Sequence, residues 1–137
     1  MITRTLKLLV LPLALSAAAC MPQTDEEAFS IDGAVYRVVI ETGGGDVRLV
    51  PGASDVRVDA QLAWVGERPD VKVDYRGGEL RLRSPCLDRG GVCEVSYTVT
   101  VPPAVAGDVR TRAGDIFFEG EFEPVTASSE QGSISRP

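Results

Sequence analysis

Three cysteines, 20 acidic residues and no histidine bound the chemistry open to this chain. A closed zinc site needs four soft ligands, and one nearby pair, Cys86 and Cys93, without histidine does not assemble it. Lack of imidazole also removes the Ser-His-Asp and Cys-His nucleophilic arrangements. Carboxylates remain. Asp108 with Asp115, or Glu119 with Glu121 and Glu123, are the groups a glycosidase or lyase would draw on. The alternation Glu119-Gly120-Glu121-Phe122-Glu123 predicts three acids on one face of a strand, and a solvated face opposite Phe122 accounts for them without catalysis. Gly43-Gly44-Gly45-Asp46 invites comparison with calcium-binding nonapeptide repeats, but the next unit, Gly52-Ala53-Ser54-Asp55, holds one glycine, so turn capping is the expectation. Trp64 and Tyr75 could stack on sugars, yet each is in phase with inward aliphatics, Leu62 and Val73, and is expected in the core. Phe117-Phe118 sends one ring each way, which makes the pair the candidate interaction surface. No catalytic residue, metal or cofactor is expected, and the chain reads as non-enzymatic.

The remaining cysteine belongs to a leader. Arg4 and Lys7 precede an apolar run from Leu8 to Leu15, and Ser16-Ala17-Ala18-Ala19 ends on Cys20. This is the order of a secretory signal, with an apolar run too short to span a bilayer. Small residues before a cysteine resemble the lipobox of bacterial lipoproteins, which implies a lipid on Cys20 after removal of residues 1–19. Ala17 stands where that motif usually has Leu, so ordinary cleavage after Ala19 is the competing reading. Either route exports the chain. With Cys20 lipidated, Cys86 and Cys93 are left, joined by a short loop that contains Gly90-Gly91, and a disulfide stapling a hairpin is expected in an oxidising compartment.

Loss of the leader takes Lys+Arg from 14 to 12 against 20 acids, a net charge of −8. Such acidity argues against nucleic acid and against electrostatic docking on anionic lipid. A membrane partner is therefore expected through the lipid anchor alone. Residues 20–30, the attachment cysteine and MPQTDEEAFS, are polar and aperiodic and predict a flexible tether. Residues 31–137 are expected to form one domain.

The elements that must position these groups are strands. Val35–Ile40, Asp46–Leu49, Asp55–Leu62, Asp70–Tyr75, Glu79–Arg83 and Val95–Val101 are β-branched or alternate with period two, and Gly or Pro clusters separate them. A unit of small residue, acid and aliphatic recurs as Gly45-Asp46-Val47, Ser54-Asp55-Val56, Gly78-Glu79-Leu80, Gly107-Asp108-Val109 and Gly114-Asp115-Ile116, and more weakly as Gly132-Ser133-Ile134. Glycine supplies the tight turn, the acid caps loop N–H groups and the aliphatic starts the next inward strand. The repetition suggests short strands stacked in successive rungs.

Glu41–Val47, the cysteine-bounded loop running into Val95–Pro102, and Val109–Ile116, in that order, resemble the bacterial putative-adhesin family of the DUF4097 type over about residues 35 to 135. The resemblance implies an all-β fold, an antiparallel β-rich opening section leading into a short, incomplete β-solenoid, and no catalytic residues. Members commonly continue through more rungs, so self-association through an open C-terminal end is a further expectation. The function expected is a cell-envelope lipoprotein that binds or scaffolds, with an envelope protein or glycan as partner. An envelope-stress sensor is the alternative, and a carbohydrate-active enzyme on a β-helical frame the more distant one.

Overall fold

The structure is a computed structural model that describes residues 21–52, 54–86, 92–122 and 124–137. The leader with Cys20, the Gly90-Gly91 turn and Glu123 lie outside the described residues. No helix occurs among the described residues. The strands are β1 (Gln23–Ile31), β2 (Arg37–Gly44), β3 (Val47–Pro51), β4 (Val56–Trp64), β5 (Lys72–Arg76), β6 (Glu79–Ser84), β7 (Cys93–Val101), β8 (Ala106–Ala113), β9 (Ile116–Phe118), β10 (Val125–Ser129) and β11 (Ile134–Ser135).

Period-two alternation puts the aliphatics of each strand on one face, and burying those faces against each other yields two mixed sheets. One has six strands in the order β1-β4-β7-β3-β9-β11, the other five in the order β10-β8-β2-β6-β5. Between them lies one core, with Val38, Ile40, Leu80, Leu82 and Val109 from the five-stranded sheet facing Leu49, Val58, Leu62, Tyr97, Val99 and Ile116 from the other. Neither sheet closes, so the expected solenoid is not what the two sheets form as a whole. The antiparallel pairs β1–β4, β4–β7 and β5–β6 also do not precede the parallel ones, because β2 and β3 already belong to the parallel part.

That parallel part consists of four segments that cross from the five-stranded to the six-stranded sheet: β6 to β7, β2 to β3, β8 to β9 and β10 to β11. They stack in that spatial order, each strand paired in parallel with its neighbour. At the crossings the backbones come very close. A Cβ on Gly45 would meet the Val95 carbonyl, one on Gly114 the Gly45 carbonyl, and one on Gly132 the Gly114 carbonyl, each under 3.0 Å. Gly45 also has φ at 114°.

Polar side chains bracket this glycine column. Inside, Thr42 Oγ1 donates to the Gly44 and Val95 carbonyls at 2.9 and 3.0 Å, Thr111 Oγ1 to Gly45 O at 3.1 Å, and Ser129 Oγ to Gly114 O at 2.8 Å. Outside, Asp46 Oδ1 accepts from the Asp115 N–H and Asp115 Oδ1 from the Ser133 N–H, both at 2.8 Å. Asp46 and Asp115 of the recurring unit thus cap the backbone of the next crossing, as their type predicts, while Glu79 and Asp108 lie in strands and pair with arginines. Ser84 completes the inner column and is hydrogen-bonded to the buried Tyr97 hydroxyl.

The acidic stretch expected to be a tether is instead largely strand. Gln23 to Ile31 pair along the whole length of β4, from Gln23 opposite Trp64 to Ile31 opposite Val56. Asp25, Glu27, Phe29 and Ile31 share one phase. The two acids bind Arg68 at 2.8 and 2.7 Å, and the Arg68 guanidinium lies 5.7 Å from the Trp64 ring centroid. Those hydrogen bonds, with the Glu26 N–H adding to them, hold the Asp25 carboxyl below its ordinary pKa. One arginine takes the place that an apolar cross-strand side chain would fill.

Gly45→Ala is expected to destabilise the fold by about 2 kcal/mol or more, since neither the left-handed backbone nor the neighbouring carbonyl admits a Cβ; the midpoint of urea unfolding measures it. Burial pushes the Tyr97 phenol up to about 12, against which the Ser84 hydrogen bond acts only in part. The folded state therefore favours the neutral phenol. Its contribution is complete below pH 10 and falls away as pH rises from 10 towards 12, where the unfolded chain ionises first. Tyr97→Phe should cost about 1 kcal/mol at neutral pH by stranding Ser84, and should flatten that alkaline loss in pH-dependent melting.

Candidate functional site

Alternation also decides what the outer faces carry. On the five-stranded sheet, Arg37, Lys72, Arg76, Arg81, Arg83, Arg110 and Arg112 point outward with Glu41, Asp74, Glu79, Asp108 and Glu130 among them. This one face holds half of the chain's 14 basic residues and a quarter of its 20 acids. The parallel register sets Glu41 between Arg83 and Arg110, and Arg37 beside Glu79. Ion pairs follow: Arg83–Glu41 at 3.3 Å, Arg110–Asp108 at 2.7 Å and Arg112–Glu130 at 3.8 Å, while Glu79 is shared by Arg37 and Arg81 at 3.6 and 2.9 Å. All are solvent-accessible, so each contributes at most about 1 kcal/mol to stability.

Where β2, β6 and β8 approach their crossings, this face sinks into an open groove of about 320 Å³. Arg83, Arg110 and Arg112 line it with Glu41, Glu130, Ser128 and the backbone of Gly43. Three guanidinium groups with hydroxyls beside them can bind carboxylate, sulfate or phosphate groups through forked hydrogen bonds. The spacing Arg81/Arg83 and Arg110/Arg112 announces one basic face per strand; that β2 sets the two strands side by side is a matter of topology.

Phe117 and Phe118 do part as expected. Phe118 enters the core, its ring 6.1 Å from that of Phe122, and the Arg136 guanidinium lies 4.2 Å from its centroid. Phe117 is half-buried on the outer face of the six-stranded sheet, with the Arg48 guanidinium 4.8 Å from its centroid. Arg48 also pairs with Glu119. The outward ring is thus partly covered within the chain, and it presents a smaller surface than the pair suggested.

The acids considered for catalysis are dispersed. Asp108 lies on the five-stranded sheet, bound to Arg110 and at 3.2 Å to Thr126 Oγ1, whereas Asp115 sits at a crossing, capping Ser133. Glu119 lies in a bend after β9 and Glu121 outside any strand, although Phe122 keeps the inward phase of Phe118 and packs against it. No group of three or more potential metal ligands occurs among the described residues. Trp64 takes its expected place in the core. Tyr75 does not: it is 38% exposed, because β5 is an edge strand that overhangs the core. Its hydroxyl donates to Ala34 O at 2.7 Å, next to Tyr36, which is 71% exposed.

Cys86 and Cys93 form the expected disulfide, with Cα atoms 5.5 Å apart. It spans two sheets and not a hairpin, since Cys86 follows β6 and Cys93 opens β7, so the bond closes the first crossing of the stack.

No family model matches the sequence, and no curated protein matches it. Among solved structures, the chain is similar to one named a putative adhesin from Bacteroides fragilis, with 13% identity over 82% of this chain and 52% of that one and a TM-score of 0.49. It is also similar to one named a putative cell adhesion protein from Clostridium sporogenes, with 14% identity, 82% and 57% coverage and a TM-score of 0.46. A third, named a putative lipid binding protein from Parabacteroides distasonis, shares 12% identity over 72% and 41% of the two chains with a TM-score of 0.42. This chain spans about half the length of the solved structures it matches.

Reduction of Cys86–Cys93, or its replacement by serine at both positions, is expected to remove about 2–3 kcal/mol of stability from so short a loop. Melting with and without reductant measures this, and the double serine variant should show no further response to reductant.

Proposed function

We propose that the chain is an exported cell-envelope lipoprotein, anchored through Cys20, that acts as a non-catalytic binding module of the adhesin kind. The four stacked crossings are read as rungs of a short solenoid whose outer faces are the working surfaces. The observation that carries the binding role is the arginine-lined groove on the five-stranded sheet. An acidic chain places half of its basic residues on one face with a quarter of its acids, so a ligand with acidic groups is attracted there more than to the rest of the surface. A glycan bearing carboxylates fits the groove's open shape and its mixture of guanidinium and hydroxyl groups. Asp108 and Glu119 bind arginines and Asp115 caps backbone, each in a different part of the fold, which gives the carbohydrate-active alternative no support from these three acids. No feature of the surface speaks specifically for the sensor reading. Self-association would run through the outer edges of β10 and β11, at the far end of the stack.

Polygalacturonate is a suitable probe. The protein is expected to bind it with an affinity that falls as salt rises, and Arg110→Ser/Arg112→Ser should weaken it about tenfold or more, since hydrogen bonds to charged groups contribute about 1.5–3 kcal/mol each. Both side chains are exposed, so the variant should melt like the parent. Equal binding by parent and variant, or none by the parent, would remove the groove as the site.

A further inference from the structure

The six-stranded sheet has an apolar tip at the point where the chain enters it. Gln23 of β1, Trp64 of β4 and Cys93 of β7 stand in register across three adjacent strands. Met21 lies two residues before the first, Val65 one after the second and Val92 one before the third, and the Val65 N–H donates to Val92 O at 3.0 Å. These three side chains are 81%, 44% and 39% exposed. The tip lies at the crossing end of the stack, where Gly44 faces the Cys93 carbonyl and Gly45 the Val95 carbonyl.

We infer that this tip, Met21 with Val65 and Val92, seats in the headgroup layer of a lipid bilayer and sets the orientation of the domain. The inference rests on the proposed lipid anchor at Cys20. Because β1 begins at Gln23, only Met21 and Pro22 separate the proposed anchoring residue from the sheet in sequence. Pro22 narrows that link further by fixing its own φ. A domain tied so short brings to the bilayer the end at which it is tied, and that end carries the three exposed apolar side chains. Apolar groups flanking a lipid chain add hydrocarbon contact to its own.

Charge selects the kind of bilayer. Asp25 and Glu27 at this end are matched by Arg68 alone, and Glu94 lies beside Cys93, so the tip is acidic around its apolar centre. It suits zwitterionic headgroups and is repelled by anionic ones. Seated this way, the domain holds its glycine crossings towards the bilayer and Tyr36 and Tyr75, at the opposite end of the strands, away from it.

The chain contains one tryptophan, and Trp64 is next to Val65 at the tip, so its fluorescence reports on this end alone. The full lipoprotein, purified from membranes and checked by intact mass, is reconstituted into phosphatidylcholine vesicles with or without bromine on the upper acyl chain. Bromolipid is expected to quench Trp64 at least twofold, less in Val65→Asp/Val92→Asp, and less in parent protein once phosphatidylglycerol is mixed in at low salt. A protein that carries lipid on Cys20 but shows no quenching overturns the seating and leaves the anchor intact. A protein without lipid on Cys20 overturns the anchor and this inference with it.

Discussion

Contact between backbones at the crossings is the constraint on which the structure turns. Parallel strands in register lie about 4.8 Å apart, and where each crossing bends from one sheet to the other the carbonyl of one layer occupies the space a Cβ would take in the next. Only glycine serves there. Glycine brings no polar group of its own, so the exposed backbone must be satisfied by neighbours. Thr42, Thr111 and Ser129 answer carbonyls from the inside, and Asp46 and Asp115 answer N–H groups from the outside. With these corners satisfied in this way, the space between the sheets is free to be filled by Val, Leu and Ile.

Parallel register also explains how an acidic protein sustains a basic face. Outward positions of β6, β2 and β8 line up in rows, and in the row nearest the crossings Glu41 lies between Arg83 and Arg110. Alternation of sign across the strands offsets repulsion among the arginines, and a guanidinium carries five N–H donors, more than one carboxylate contact uses. The six-stranded sheet, by contrast, presents Ser96, Thr98 and Thr100 with few charges. Two faces of different character result from one alternating pattern.

Most of this was legible residue by residue, and little of it pair by pair. Six strands follow directly from alternation, and two of the recurring units, Gly45-Asp46-Val47 and Gly114-Asp115-Ile116, mark crossings with their capping acids, whereas those at Asp55, Glu79 and Asp108 do not. β1 does not read as a strand because two of the five residues in its inward phase are acidic; Asp25 and Glu27 both bind Arg68, which lies beyond β4 and more than forty residues away in sequence. Tyr75 shares the phase of a core residue, but its strand is at an edge, and position in a sheet is not written in the strand itself. The arginine groove depends on β2 intervening between β6 and β8, an order that local pattern does not encode. Glu119 to Phe122 alternate like a strand and Phe122 keeps its inward phase, yet pairing ends at Phe118, which local pattern does not announce.

The spatial order of the crossings has a kinetic side. β2 and β3, made early, form the second layer of the stack; the layer beneath them is supplied by β6 and β7 and the layer above by β8 and β9, all later in the chain. One edge of the founding layer stays bare until β6 and β7 have emerged, and the other until β8 and β9 have, as far as Phe118. Pairing of this range closes long loops before contacts reward it, which makes for slow assembly. During that interval β2 carries Val38, Val39 and Ile40 in succession on an uncovered parallel strand, the kind of segment that joins other chains when its own partner is late. Yield of correctly assembled protein should therefore depend on how fast, and how well guarded, the second half of the polypeptide arrives.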